Sequence, residues 1–322
     1  MKALTFSKFG GAEVMEYRDV PDLDLNRNEV LIEMKAIGLN YADIYRRKGN
    51  YHLKGTPPFI AGYEGAGIVI KTTSSLYEVG DRVSFADVPF SNAEYVAASV
   101  EHVIPLPDDI SFNIAASVLL QGLTAQYLAA DSYQVKSGDV VLVHAASGGV
   151  GQILSQICKL QGAKVIGLTR DKRKIINIRE AKADHALILG EGWQDKIMEI
   201  TEGKGVDIAY DSVGSTLMES FDVTKACGTV VFYGMSGADP KHIDPRMLMD
   251  TSKTLTGGDL WSYLTSKEQR LKRSSELFNW LIRGEIKLKT PTKFNLSEGR
   301  AAHEFLEEGK SAGKVLLIPN NK

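Results

Sequence analysis

The sequence predicts an α/β protein in which a parallel sheet with crossover helices follows a compact β-rich region. Three observations predict it. Short strand-like runs crowd the first third, the chain changes character after the Pro105–Asp109 segment PLPDD, and apolar strand-like and helix-like stretches alternate from residue 137 onward. In order, strands are expected at 2–6, at the alternating run 30–36, at the Gly-rich 62–70 and at 82–85 after the turn Val79-Gly80-Asp81. An Ala-rich apolar stretch, 112–130, follows. Next come a β-branched strand at 139–143 and a helix whose Val150, Ile153, Leu154, Ile157 and Cys158 share one face. Further strands fall at 164–168, 186–189, 206–210, 228–233 and 254–256, which is the pattern of parallel strands joined by helices. A polar helix near 266–283 precedes a last apolar strand at 314–318. That strand has no place in the parallel series and is expected to return to the first region.

At 322 residues the length favours two domains. Hydrophobic residues at 43% and charged residues at 24% exclude wholesale disorder, and a net charge of -2 without a basic half argues against nucleic acid or an anionic membrane as partner. The first residues carry no signal-peptide pattern, and no run reaches the roughly 18 apolar residues of a spanning helix. Two cysteines, Cys158 and Cys227, exclude a disulfide framework and a four-cysteine zinc site. Both are expected to be buried and inert, in a cytoplasmic protein.

The sharpest local signal is VVLVHAASGGVG at Val140–Gly151. Ala146, Gly148 and Gly151 take the three positions of the G-x-G-x-x-G fingerprint, between a strand and a helix start. Small residues let backbone approach a pyrophosphate, and the helix N-terminus supplies amide donors and a favourable dipole. A glycine turn chosen for packing alone would look similar, but the flanking strand, helix and next strand complete a dinucleotide-binding, Rossmann-type unit. At the end of the second strand, NAD enzymes place a carboxylate for the ribose 2′-OH. Here Thr169 is followed by Arg170, Asp171, Lys172, Arg173 and Lys174. Cations would hold a 2′-phosphate through charge-assisted bonds worth roughly 1.5–3 kcal/mol each, so NADPH is favoured over NADH. A solvated basic helix start carries the same residues, and Asp171 dilutes the charge.

The six histidines are scattered, with no H-E-x-x-H pair and no C-x-x-C, and no G-x-S-x-G elbow supports serine hydrolysis. His144, ending the first strand of the nucleotide unit, reads as a packed or backbone-bonded residue.

Taken together, VLIEMKAIGLNYAD at 30–43, GYEGAG at 62–67, GDRV at 80–83, QGLTA at 121–125, the fingerprint, YDSVG at 210–214 and GKVLLIP at 313–319 resemble the zinc-independent quinone oxidoreductases of the medium-chain dehydrogenase/reductase superfamily. The resemblance runs nearly end to end. It implies a GroES-like β-rich catalytic domain at 1–119 and 260–322, a Rossmann doubly wound parallel sheet at 120–259, and a cofactor between them. The superfamily's alcohol dehydrogenases hold catalytic zinc with a cysteine where this chain has Asn40 and a histidine where it has Tyr63, beside Glu64. Residues 85–95 contain no cysteine, so the structural-zinc lobe is missing too. No metal is expected, and Glu64 is expected to bond backbone or a basic side chain.

The resemblance further implies that Asn40, Tyr45 and Tyr51 line the cleft near the nicotinamide and that Thr124 contacts its carboxamide end. Ser147, Gly148, Gly149, Val150 and Gly151 would hold the pyrophosphate, and Arg170 with Lys174 the 2′-phosphate. Gly214, Gly234, Met235, Gly258, Asp259 and Leu260 would border the cofactor. Lys310 and Lys314 are alternatives for a further phosphate contact. The run Arg46-Arg47-Lys48 reads either as positive field at the cleft or as a solvated charged face. Asn40, Tyr45 and Tyr51 are also the candidates for bonding an acceptor's oxygen or supplying its proton, and each serves equally well as a cofactor-positioning residue. The expected activity is NADPH-dependent, zinc-independent reduction of a quinone or conjugated carbonyl by a homodimer or homotetramer. The alternatives are an enone or enal reductase and a non-catalytic NADPH-binding protein.

Overall fold

The computed structural model describes residues 1–320. By its internal contacts the chain divides into two compact units. One comprises Met1–Leu120, Leu264–Ile282 and the chain from Leu288 on; the other comprises Gln121–Tyr263 with Arg283–Lys287. The sequence reading placed the divisions at 119/120 and 259/260 and did not separate residues 283–287. Gln156 accounts for that short segment: its amide donates to the Lys287 carbonyl at 3.1 Å and accepts from the Lys287 N–H at 2.8 Å.

In the first unit, strands β1 (Lys2–Phe6), β2 (Glu16–Asp19), β3 (Glu29–Leu39) and β4 (Phe59–Ile60) come first, with helix α1 (Tyr41–Lys48) leaving the end of β3. β1 pairs antiparallel with β2 and β4. Strands β5 (Gly65–Thr72), β6 (Arg82–Phe85), β7 (Tyr95–Ser99) and β8 (Ile104–Pro105) follow. β3 organises the larger sheet, pairing with β5 along one edge and with β7 on the other. Val30, Ile32, Met34 and Ala36 alternate inward as the period-2 pattern requires, then Ile37 and Leu39 are buried as well. Gly67 permits the β3–β5 approach, since a Cβ there would lie 2.1 Å from the Glu33 carbonyl oxygen.

Helix α2 (Phe112–Tyr127) leads into the second unit, whose strands are β9 (Val140–Val143), β10 (Lys164–Thr169), β11 (His185–Ile188), β12 (Val206–Asp211), β13 (Thr224–Phe232) and β14 (Thr254–Gly257). Their order is β11-β10-β9-β12-β13-β14, and every neighbouring pair is parallel. This is the doubly wound Rossmann order, which reverses between β9 and β12. Of the face its sequence period predicts, helix α3 (Gly149–Leu160) buries Ile153, Leu154, Ile157 and Cys158 and leaves Val150 half-buried. Cys158 is buried, which pushes its thiol up. Cys227, expected to be buried, is instead exposed: it sits in left-handed backbone (φ 60°) where the β12–β13 register slips.

The chain then returns. Helix 267–282 is tied to the first unit by Arg270, which donates to Asp87 at 2.9 and 2.6 Å. Strands β15 (Thr292–Asn295) and β16 (Val315–Ile318) complete the larger sheet, β16 running antiparallel to the end of β3, as expected of a strand with no partner in the parallel series. Helix 299–307, between them, brings His303 and Glu307 to α1. There Arg47, fully buried, bonds Glu307, the His303 Nδ1 at 3.2 Å and the Gly10 carbonyl at 3.2 Å. Lys48 also pairs with Glu307, and Arg46 with Asp43 at 3.3 Å. The basic run is therefore not a wholly solvated face: Arg46 and Arg47 are folded inside, and Lys48 is exposed.

Burial, reinforced by the Arg47 guanidinium, pushes the His303 imidazole down to about 3, against an ordinary value of 6.5. Between those values the unfolded chain binds a proton that the folded chain refuses, so stability is lost as pH falls through that window. Replacing His303 by Asn should flatten the acid side of the pH–stability curve by up to about 1.4 kcal/mol per pH unit below roughly pH 6.5. Urea titrations at successive pH values measure it, and parallel curves would show that His303 is not the group responsible.

Candidate functional site

Because all strands of the second sheet are parallel, the segments that leave the C-terminal ends of β9, β10, β12, β13 and β14 lie along one edge. Ligands of open α/β sheets bind there, at the point where strand order reverses. The glycine turn after β9 sits at that point. His144 extends β9 by donating its N–H to the Tyr210 carbonyl at 3.0 Å, and Ala145 then turns through left-handed backbone (φ 48°). Gly148, extended, precedes α3 with no side-chain cap. The first-turn amides of Gly149, Val150 and Gly151 thus lack the intrahelical acceptors that later residues have, which is the ordinary make-up of an anion site. Gly151 allows the close approach of helix and strand: a Cβ there would stand 2.6 Å from the Ala145 carbonyl oxygen. A Cβ on Gly149 would stand 2.1 Å from the Gln121 side chain, a neighbour that only the structure reveals.

On the side of β10, the Ser147 and Thr169 hydroxyls are 2.9 Å apart and both residues are buried, so a neutral pair stands where a carboxylate would select NAD. Asp171 does not restore one. Its carboxylate accepts from the Arg173 N–H at 2.9 Å and from its guanidinium at 3.0 and 2.9 Å, which together hold it below the usual carboxylate range. Its charge is matched locally by Arg173. Arg170 is exposed, and Lys174 is half-buried, with burial lowering its pKa.

After β12, Asp211 ties down the turn that ends at Gly214. One carboxylate oxygen accepts from Val213 and Gly214 N–H at 2.8 and 3.0 Å; the other accepts from the Thr216 and Ser220 hydroxyls at 2.7 and 2.8 Å. These bonds, with the nearby His144, keep the Asp211 carboxyl low despite its burial. His144 is buried with its Nε2 2.9 Å from the Ser220 hydroxyl, so it is a packed residue bonded to a side chain. Gly214 needs its φ of 91°, where a side chain would be strained. Gly234 lies against this turn, a Cβ there falling 3.1 Å from the Ser212 carbonyl oxygen, and half-buried Met235 follows. After β14, Gly258 abuts the Tyr127 ring, Asp259 accepts from the Trp261 N–H at 3.0 Å, and Leu260 is buried. Thr124 is half-buried on α2. The structure thus brings the Ser147 and Thr169 hydroxyls together, sets Gly234 against Ser212 in the turn before Gly214, places Gly258–Leu260 just past β14, and leaves Thr124 on α2.

In the first unit, Asn40 heads α1 and Tyr45 lies just over one turn along it. Tyr45 meets Tyr51 edge-on, ring centres 6.1 Å apart, and Tyr51 contacts His52 at 3.9 Å. The Arg46 guanidinium lies 3.7 Å from the centre of the Tyr63 ring and 5.0 Å from that of Tyr51. Asn40 is engaged at both ends of its amide: Nδ2 donates to Glu64 at 2.8 Å, and Oδ1 accepts from Lys314 at 2.7 Å. Glu64 accepts from Lys314 at 2.6 Å and, through its other oxygen, from the Leu120 N–H at 2.7 Å. It therefore has both of the partners expected of it, a backbone N–H and a basic side chain. Lys314 is buried here, while Lys310 pairs with Glu308 at the surface. Neither the amide of Asn40 nor the phenol of Tyr63 is a zinc donor in kind, and the carboxylate of Glu64 already holds an ammonium. This donor set does not fit zinc.

Residues 149–276 match the family described as zinc-binding dehydrogenase, and residues 26–137 the alcohol dehydrogenase GroES-like domain. A quinone oxidoreductase of Pseudomonas aeruginosa is 34% identical over 99% of both chains. Quinone oxidoreductase 1 of Escherichia coli is 36% identical over 98% of this chain and 99% of its own. The crystal structure of Escherichia coli quinone oxidoreductase complexed with NADPH superposes with a TM-score of 0.94, at 34% identity over 99% of this chain and all of the other. With likeness of this extent across both units, the chain belongs to the quinone oxidoreductases of the medium-chain dehydrogenase/reductase superfamily.

Proposed function

We propose that this protein is a cytoplasmic NADPH:quinone reductase that works without a metal. The observation that carries the reading is the uncapped glycine turn at the strand-order reversal, with a neutral Ser147–Thr169 pair and basic residues on its adenosine side. The residues fit the cofactor: the cradle over Gly149 and Gly151 leaves no room for side chains. The first-turn amides of α3 would hold the pyrophosphate, and Arg170 with Lys174 the 2′-phosphate. Thr124, Gly214, Gly234, Met235 and the segment from Gly258 to Leu260 would border the remainder. NADPH, when bound, supplies the hydride.

The chain's own contribution is orientation, exclusion of water and control of a proton. A quinone disperses the incoming negative charge through its own conjugation and needs little Lewis-acid help. Tyr45 and Tyr51 carry phenol groups able to donate a hydrogen bond or a proton to the acceptor's oxygen. Asn40, with its amide already bonded twice, holds the start of α1 rather than touching the acceptor. Assembly as a homodimer through the edge of the parallel sheet at β14 accompanies this reading, since among the described residues β14 pairs only with β13.

Three outcomes are expected. Replacing Arg170 and Lys174 together by Ala should raise KM for NADPH by about ten-fold or more, the loss of one good charge-assisted contact being worth roughly 1.5–3 kcal/mol, and leave KM for NADH little changed. Equal changes for the two nucleotides would refute the phosphate role. Turnover of quinone should persist after exhaustive chelation, with metal far below one equivalent by elemental analysis; chelator-sensitive activity would overturn the metal-free reading. Sedimentation velocity should give twice the chain mass, and a monomer would remove the edge-pairing assembly.

A further inference from the structure

We infer that the Lys314 ammonium is a fixed, chain-borne cation standing in for a metal ion at the head of α1, and that it positions α1 for acceptor chemistry. The second half of this rests on the quinone-reductase reading. Lys314 and Glu64 are both buried, with side chains 2% and 0% exposed, and the ammonium gives one N–H to Glu64 at 2.6 Å and one to Asn40 at 2.7 Å. Asn40 closes the ring by donating to the same Glu64 oxygen at 2.8 Å, while the Leu120 N–H takes the other. Space for this is built in, since a Cβ on Gly38 would fall 2.3 Å from the Glu64 carboxylate and 2.4 Å from the Ala116 carbonyl oxygen.

Cation, carboxylate and amide oxygen are the components of a small cation site, and the cation is covalently part of the chain. A metal ion would have to expel a buried ammonium that already satisfies the carboxylate. What the ring orients is the beginning of α1. Asn40 donates its N–H to the Asp43 carboxylate at 2.8 Å, and Asp43 returns its N–H to the Asn40 carbonyl at 3.0 Å. Asp43 also pairs with Arg46, which lies against Tyr51 and Tyr63. A change at Lys314 is thereby passed through Asn40 to the helix that carries Tyr45, and through Asp43 and Arg46 to the ring of Tyr51. Lys314 is a positioning residue and touches no substrate.

The test compares the wild type with Lys314→Met, Lys314→Ala and the double variant Glu64→Gln/Lys314→Met, using 1,4-benzoquinone as acceptor. Lys314→Met should lower kcat/KM for the quinone by about ten-fold, the worth of a charged hydrogen bond, with the NADPH dissociation constant within about two-fold. Methylammonium, but not tetramethylammonium, should restore both Tm and turnover to Lys314→Ala, because the latter ion has no N–H. The double variant carries no unpaired buried charge and should regain Tm without regaining kcat/KM. Wild-type kcat/KM in Lys314→Met, or recovery of both quantities in the double variant, would overturn the positioning role even if Lys314→Ala fails to fold. Absence of amine rescue in a folded Lys314→Ala would overturn the cation assignment. A wild type that turns over no quinone, with amine rescue of Tm intact, would sink the quinone reading alone.

Discussion

The structure of the nucleotide unit depends on one close approach, that of the first turn of α3 to the end of β9. A helix can aim its free amides at the end of a parallel sheet only if it starts almost against the strand that feeds it. At Gly151 a methyl group would already overlap the Ala145 carbonyl oxygen. Once that approach is made, the remaining parallel strands set their own C-terminal turns beside it, and the Asp211 turn is held by four bonds to a single carboxylate. The site is thus a consequence of sheet topology, with side chains refining it rather than creating it.

The first unit follows a different rule: it buries charge and then satisfies it. Glu64, Lys314, Asp43, Arg46 and Arg47 all lie inside, and each has a partner of opposite sign or a backbone group. Such pairs seldom add much net stability, but removing one partner strands the other away from water. Their service is geometric. They lock the start of α1 and the helix 299–307 in one arrangement, where an apolar interface would tolerate slippage.

The sequence discloses these two units unequally. The Rossmann unit was legible because its signals are local: a twelve-residue fingerprint, a period of helix and strand, and a basic run just past β10. Thr169 and Arg170 could be placed from spacing alone. The solvated-face reading of the run 46–48 does not hold, because Arg47 and Lys48 find their partner in Glu307, some 260 residues along the chain, and no local pattern marks a partner so far away. The choice between Lys310 and Lys314 was open for the same reason, and the outcome is that Lys314 meets Glu64 inside the protein. Cys227 is expected to be buried from its place just before a strand, whereas a slip of register between two parallel strands turns it outward. Gln121 beside Gly149 belongs to this group too: a helix residue and a turn glycine meet only once the tertiary fold exists.

The antiparallel return of β16 to β3 has a bearing on biosynthesis. Leu317 pairs with Ile37, so β3 waits for a partner made about 280 residues later. The intervening nucleotide unit has all six of its strands well before that and can close on itself while the chain is still being extended. During this interval the end of β3 presents an unpaired edge and Glu64 has no ammonium beside it. The β-rich unit therefore reaches its final form only once β16 has been made, and a chain that stops short of residue 314 has one complete parallel sheet and one open sheet.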